Sequence, residues 1–136
     1  MIRVFVTGAC GKMGSETIKT ILKQDDMKLV GAADIRNQGS DLGEILGLNP
    51  LGIHITGRLT SDLLKELAVD IMVDFTNPHA VFQNARLALE NKINCVIGTT
   101  GLTEYELKEL EAIASKNDLA VAVIPNFAIG AVLMMK

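Results

Sequence analysis

The sequence predicts a doubly wound α/β fold: one parallel sheet with helices on both faces. Apolar runs of four to six residues, each closed by Gly, Asp, Thr or Asn, alternate with longer segments of helical spacing, the rhythm of strands joined by crossover helices. Most of these runs are too apolar for either face to meet water, as befits strands inside a parallel sheet.

The elements follow in order. The first strand is expected at 2–6 and passes directly into GACGKMG; the helix after it, at 12–23, carries Met13, Ile18, Ile21 and Leu22 as an apolar stripe. The second strand falls at 28–33. A Gly- and Asn-rich segment, 36–57, is then expected to hold one helical turn and a short strand around His54. A weaker helix is read at 60–67, and the third strand at 71–74. The next helix is expected at 78–90, because proline suits a first helical turn, and the fourth strand at 94–97. Thr103 with Glu106 three positions on forms a capping box for a helix at 103–116, and the last strand is placed at 120–124. PNFAIGAVLMMK then reads as a turn leading into a helix from about Ile129.

At 136 residues the chain has the size of one domain. A net charge of -3 gives no basic footprint, so neither nucleic acid nor an anionic membrane is an expected partner. The opening MIRVFVTG has no signal-peptide pattern and no apolar run is long enough to span a bilayer, which predicts a cytoplasmic protein. Cys10 and Cys95 stand far apart with no histidine near either in sequence, so no disulfide framework and no metal site are expected.

In an open parallel sheet, ligands sit beyond the carboxyl ends of the strands. The exits here are GACGKMG, DIRN, FTNP, GTTG and PNFAIG, all small, polar or turn-forming. Gly8, Gly11 and Gly14 follow a strand and open a helix, a geometry that brings backbone amides and the helix dipole against a pyrophosphate; the alternative is a tight turn with close packing. Asp34, 20 residues after Gly14 at the end of the second strand, is placed to accept hydrogen bonds from adenosine ribose hydroxyls. Together they predict dinucleotide binding. Asp34 should repel a 2'-phosphate whereas Lys12 and Arg36 would attract one, so NADH is the expected cofactor with NADPH also accepted. Cys10 lies near a helix N-terminus, which lowers a thiol pKa, but reads better as a small side chain in a crowded turn. His54 and His79 are isolated, and His79 falls in the first turn of an exposed helix; neither is assigned a role.

These motifs resemble the dihydrodipicolinate reductase family. GACGKMG, Asp34, the DFT of Asp74 to Thr76, GTTG, PNFAIG and the GSDLGE segment at 39–44 stand in the family's order along the whole chain, and GTTG followed about 25 residues later by NFAIG is the most specific of them. The resemblance implies a Rossmann-type domain in which Gly8, Ala9, Cys10, Gly11, Lys12 and Met13 hold the pyrophosphate and Asp34 the adenosine ribose. It further implies that Gly98, Thr99, Thr100, Pro125, Asn126 and Phe127 line the nicotinamide side, with Thr100 also touching substrate. Many relatives carry Ser after NF; here Ala128 stands there, and a hydroxyl contact is lost.

The reaction implied is hydride transfer from NAD(P)H to a cyclic dicarboxylate, giving tetrahydrodipicolinate in lysine and diaminopimelate biosynthesis. A dicarboxylate needs cations and the reduced product needs an acid, yet FTNP, GTTG and PNFAIG contain no Lys, Arg or His. No catalytic residue is therefore assigned within 1–136. The resemblance places those groups in a C-terminal substrate domain beginning past Lys136 and implies a homotetramer. The chain alone is expected to bind cofactor without turnover. The rival of a different class is a non-catalytic NAD(P)-sensing module. Sugar dehydrogenases and extended short-chain dehydrogenases are disfavoured, because no E-K-P follows the GTTG strand and the residue four after Tyr105 is Glu109 rather than lysine.

Overall fold

The computed structural model describes residues 1–124. Five strands, β1 (Ile2–Thr7), β2 (Met27–Ala33), β3 (Ile71–Asp74), β4 (Asn94–Ile97) and β5 (Val121–Val123), form one parallel sheet in the order β2-β1-β3-β4-β5. The helices are α1 (Lys12–Leu22), α2 (Leu42–Ile45), α3 (Ser61–Glu66), α4 (Val81–Glu90) and α5 (Glu104–Lys116). This is the doubly wound fold predicted, with strand order reversing between β1 and β3.

Period-two alternation divides the strand side chains between two apolar layers. Val4, Val6, Val73 and Val96 face α1 and the segment that carries Leu42 and Ile55. Phe5, Met72, Cys95 and Ile97 face the other side, where Leu64, Val81, Ala85, Leu89 and Leu110 of α3, α4 and α5 complete the layer. Both layers are closed to water, and each large aliphatic side chain buried in them contributes roughly 1.5–3 kcal/mol. Phe5 is fully buried, and it fits because its neighbour across β2 is Gly31: a Cβ there would stand 2.6 Å from the Phe5 ring. The β1–β2 register slips at this point, between Val4 and Phe5.

Several boundaries differ from those predicted. α4 begins at Val81, not at Pro78; residues 78–80 form a turn in which Asn77 Oδ1 accepts from the His79 and Ala80 amides at 2.9 and 3.0 Å. An asparagine side chain thus takes the donors that a continuing helix would leave open, and His79 sits exposed in that turn rather than in the helix. α5 begins as expected, with Thr103 Oγ1 accepting from the Glu106 amide and Glu106 Oε1 from the Thr103 amide. The 36–57 segment holds α2 and an isolated antiparallel bridge between Asp41 and His54. Asp41 is its staple, accepting from the amides of Gly43, Glu44, Leu51 and Gly52. β5 is an edge strand, and Val123 is 46% exposed. The turn at Pro125, Asn126 and Phe127 and the helix expected from Ile129 lie outside the described residues.

Candidate functional site

A cleft of about 350 Å³ opens at the carboxyl ends of β1 and β3, where strand order reverses. Its walls come from three exits: Gly8 and Gly11 after β1, Asp34 and Arg36 after β2, and Phe75, Thr76 and Asn77 after β3. Asn84 of α4 closes one side and Gly57 and Leu59 another.

The three glycines of the first exit are not equivalent. Gly8 has φ +72, and a Cβ on it would lie 2.5 Å from the Phe75 carbonyl oxygen, so it is required where the two loops converge. Gly14 is pressed against the Gly8 carbonyl, letting α1 pack directly on the loop. Gly11 meets neither constraint: it has φ -76 and ψ 168, and a Cβ would find its nearest neighbours at 3.5 and 3.6 Å. Nothing in the described fold demands glycine there.

Gly11 is also the N-cap of α1 and offers no side-chain acceptor, unlike Thr60 of α3 and Thr103 of α5. The amides of Gly8 and Ala9 bond to the Ala33 carbonyl, that of Gly11 to Gly8 and that of Cys10 to Asp34. The loop's donors are thereby narrowed to the first turn of α1, Lys12, Met13 and Gly14, whose amides have no partner inside the helix. They lie at the positive end of the helix dipole.

Asp34 holds this loop in place. It is 8% exposed, and its carboxylate accepts from the Cys10 amide (2.8 Å), the Arg36 amide (2.9 Å) and Arg36 Nε (3.3 Å). Burial pushes its pKa up, but the Arg36 and Cys10 amides and the Arg36 guanidinium outweigh this, and the carboxyl lies below its ordinary value. Each oxygen therefore already has a donor; the lone pairs left over are those a ribose could meet. Arg36 is 60% exposed along its side chain and lies over Gly11 as well as Asp34. Lys12 is exposed beside them.

Cys10 departs from what a helix N-terminus would do. Burial, opposed by an Asn37 hydrogen bond and reinforced by the Asp34 charge, raises its thiol pKa rather than lowering it. Met13 and Ala9 lie below the loop surface, half-buried and buried.

At the exit of β4, beyond β3, the predicted Gly98, Thr99 and Thr100 are not among the residues lining the cleft; Gly98 is pressed against the Phe75 ring, so packing alone requires glycine there. Thr99 Oγ1 donates to the Thr76 carbonyl at 3.3 Å, and Thr100 is exposed. Thr76 and Asn84 line the cleft although the sequence reading gave neither a role. Asn84 had a signal: it is a polar residue beside the Val81–Ala85–Ala88 stripe of α4. Among the described residues no cluster of three His, Cys, Asp or Glu could hold a metal, and no helix is long and apolar enough to cross a membrane.

Comparison with known proteins gives this cleft its context. The family described as dihydrodipicolinate reductase, N-terminus, matches residues 2–127. The 4-hydroxy-tetrahydrodipicolinate reductases of Desulfitobacterium hafniense and Syntrophomonas wolfei are 54% and 51% identical over 135 and 134 residues, 99% and 98% of this chain. The chain spans about half of these relatives, 51% and 50% of their length. A solved dipicolinate-bound dihydrodipicolinate reductase from Paenisporosarcina sp. TG-14 superposes with a TM-score of 0.79 at 39% identity, covering 99% of this chain and 51% of that one. S. aureus homoserine dehydrogenase, at 22% identity and a TM-score of 0.71 over 90% of this chain and 32% of its own, shares the fold. With the fold, the glycine loop and a family match over nearly its whole length in agreement, this chain belongs to the dihydrodipicolinate reductase family, in its N-terminal region.

Proposed function

We propose that the chain is the cofactor-binding half of a reductase that transfers hydride from NADH, with NADPH also accepted, to the cyclic dicarboxylate precursor of tetrahydrodipicolinate. The observation that carries this reading is Gly11, a glycine that lines the cleft, that the described fold does not need, and that caps α1 without a side-chain acceptor. Those amides, with Lys12 beside them, would hold the pyrophosphate. Asp34 would take the adenosine ribose through its remaining lone pairs, as a fixed carboxylate rather than a free one. Gly98, Thr99 and Thr100 would meet the nicotinamide side, Thr100 also the substrate; Pro125, Asn126 and Phe127 are proposed for the same side on family resemblance.

When bound, the cofactor supplies the hydride; the residues of this chain orient it. Asp34 opposes a 2'-phosphate, and Arg36, exposed enough to swing from Asp34 towards one, lowers that penalty without reversing it. The exits of β3 and β4, FTNP and GTTG, contain no Lys, Arg or His, so the cations and the acid that a dicarboxylate requires must come from residues outside them. The full-length protein is accordingly proposed to carry a second, substrate-binding domain and to act as a homotetramer in the cytoplasm, and this chain alone to lack turnover.

Titration calorimetry with NADH and NADPH on the wild type and on Asp34→Ala tests the reading. NADH should bind more tightly, and the substitution should weaken NADH more than NADPH. Failure of folded wild-type chain to bind either cofactor at millimolar concentration would overturn it. Turnover of the dicarboxylate well above the uncatalysed rate, in a preparation free of host enzyme, would overturn the division of labour.

A further inference from the structure

Asp74, the last residue of β3, is fully buried, and neither salt bridge among the described residues involves it. Three donors surround it instead. The Thr76 amide and Thr76 Oγ1 donate to Oδ1 at 2.9 and 2.6 Å, and Asn84 Nδ2 donates to Oδ2 at 3.0 Å. Two of these, the amide and Nδ2, can only donate, so both carboxylate oxygens act as acceptors and the hydroxyl at 2.6 Å gives its single proton to Oδ1.

The consequence falls on the cleft that Thr76 lines. With its proton engaged, Thr76 Oγ1 presents only lone pairs to a ligand. Thr99 Oγ1 is in the same condition at the neighbouring exit, because it donates to the Thr76 carbonyl. Two hydroxyls that look interchangeable as donors or acceptors in the sequence are thus both left as acceptors, and of the two it is Thr76 that lines the cleft.

Topology says which part of a dinucleotide would meet them. Neighbouring strands lie about 4.8 Å apart, so the β3 exit is about 10 Å from the β2 exit that carries Asp34, with the β1 loop between them. A dinucleotide with its adenosine at Asp34 and its phosphates at α1 brings its second nucleoside to Thr76.

We propose that Asp74 is a positioning residue that fixes Thr76 Oγ1 as acceptor for a hydrogen-bond donor on the nicotinamide-side nucleoside, a ribose hydroxyl or the carboxamide N–H. The proposal rests on the cofactor reading of the cleft. It adds a residue that touches no ligand and acts through Thr76, and it assigns a polarity to that contact.

Calorimetric titration of the chain with NADH, ADP-ribose and ADP tests it, using Thr76→Val, Thr76→Ser, Asp74→Asn and the double variant Asp74→Asn/Thr76→Val. Thr76→Val should weaken NADH about three- to tenfold, the worth of one neutral hydrogen bond, while Thr76→Ser retains wild-type affinity. ADP, which has no second nucleoside, should bind all variants alike, which also reports that they are folded. Asp74→Asn should weaken NADH about threefold, yet cause no further loss when Thr76 is already valine, because the carboxylate acts only through that hydroxyl. If ADP-ribose shows the same losses as NADH, the donor is the ribose; if only NADH does, it is the carboxamide. Equal losses for ADP and NADH, or additive losses in the double variant, overturn the proposal and leave Asp74 a packing residue. Wild-type chain that binds ADP but not NADH overturns this assignment of the β3 exit alone, whereas binding of neither overturns the cofactor reading and this proposal with it.

Discussion

Replacing each loop glycine by alanine separates the requirements of the ligand from those of the fold. At Gly11 the backbone, with φ -76 and ψ 168, is open to any residue, and the added methyl group lies 3.5 Å from the Gly8 carbonyl oxygen and 3.6 Å from Arg36 Nη2, ordinary contact distances. Alanine caps a helix less well than glycine, which costs about 0.5–1 kcal/mol, while the reduced freedom of the unfolded chain returns about 0.4–1 kcal/mol. These nearly cancel, and the melting temperature should stay within about 3 °C of wild type. At Gly8 the outcome is different. Its φ of +72 costs an L-residue about 1–2 kcal/mol, and the methyl meets the Phe75 backbone at 2.5 Å, so Gly8→Ala should lose more than about 2 kcal/mol. Binding reverses the ranking among folded variants. Gly11 lines the cleft and caps α1, so a methyl there should keep a phosphate off the helix N-terminus; losing one charge-assisted hydrogen bond, about 1.5–3 kcal/mol, weakens NADH about 10- to 150-fold. Thermal melts paired with NADH titration check both halves. A Gly11→Ala chain that melts as early as Gly8→Ala, or that binds NADH like wild type, would refute the reasoning.

Acid should weaken the fold partly through Asp34. Its folded carboxyl holds a proton less tightly than the unfolded one, whose ordinary value is 3.8, so the unfolded state protonates first as pH falls; the stability is complete above that value and is lost as pH drops below about 4 through the folded pKa. Urea unfolding at pH 6, 4 and 3 should show this loss, and Asp34→Asn should flatten it; an unchanged slope in the variant would count against the assignment. Cys95 is buried and its thiol is raised by burial and by the Asp74 charge, while Cys10 is only half-buried, so a thiol reagent should modify Cys10 in the native chain and Cys95 only on unfolding. Prompt modification of both in native buffer would contradict the described core. Thr103→Ala should cost α5 about 1 kcal/mol by removing the capping box, measured as a fall in the urea midpoint with unchanged slope.

What the sequence made legible was local or periodic. The capping box of α5 lies within four consecutive residues and appears where expected, and the alternating apolar strands stand in their predicted order. The start of α4 was not legible because Pro78 fits either a helix or a turn, and the choice is made by the Asn77 side chain bonding to the next amides. The site shows the same division. Gly8, Gly11 and Gly14 are identical in the sequence; the fold needs Gly8 because Phe75 arrives from another strand exit and Gly14 because α1 folds back on the Gly8 carbonyl, and neither contact reaches Gly11. Asp34 stood out by its spacing, but not its engagement with the Cys10 amide 24 residues away, which turns a free carboxylate into a brace. Nor could the Cys10 thiol be placed from its position near a helix N-terminus, since burial and the Asp34 charge act on it through space. Asp74 and Thr76 entered as part of a motif, and their hydrogen-bond polarity emerges only with Asn84 beside them.

The central claim, that the cleft between β1 and β3 holds a nicotinamide dinucleotide on the first turn of α1, is tested most directly by following backbone amide resonances while NADH is added. The largest shifts are expected at Lys12, Met13 and Gly14, with smaller ones at Asp34, Arg36, Thr76 and Thr99. A titration that leaves the α1 first turn unmoved, or whose shifts gather around the α4–α5 groove near Tyr105, contradicts it.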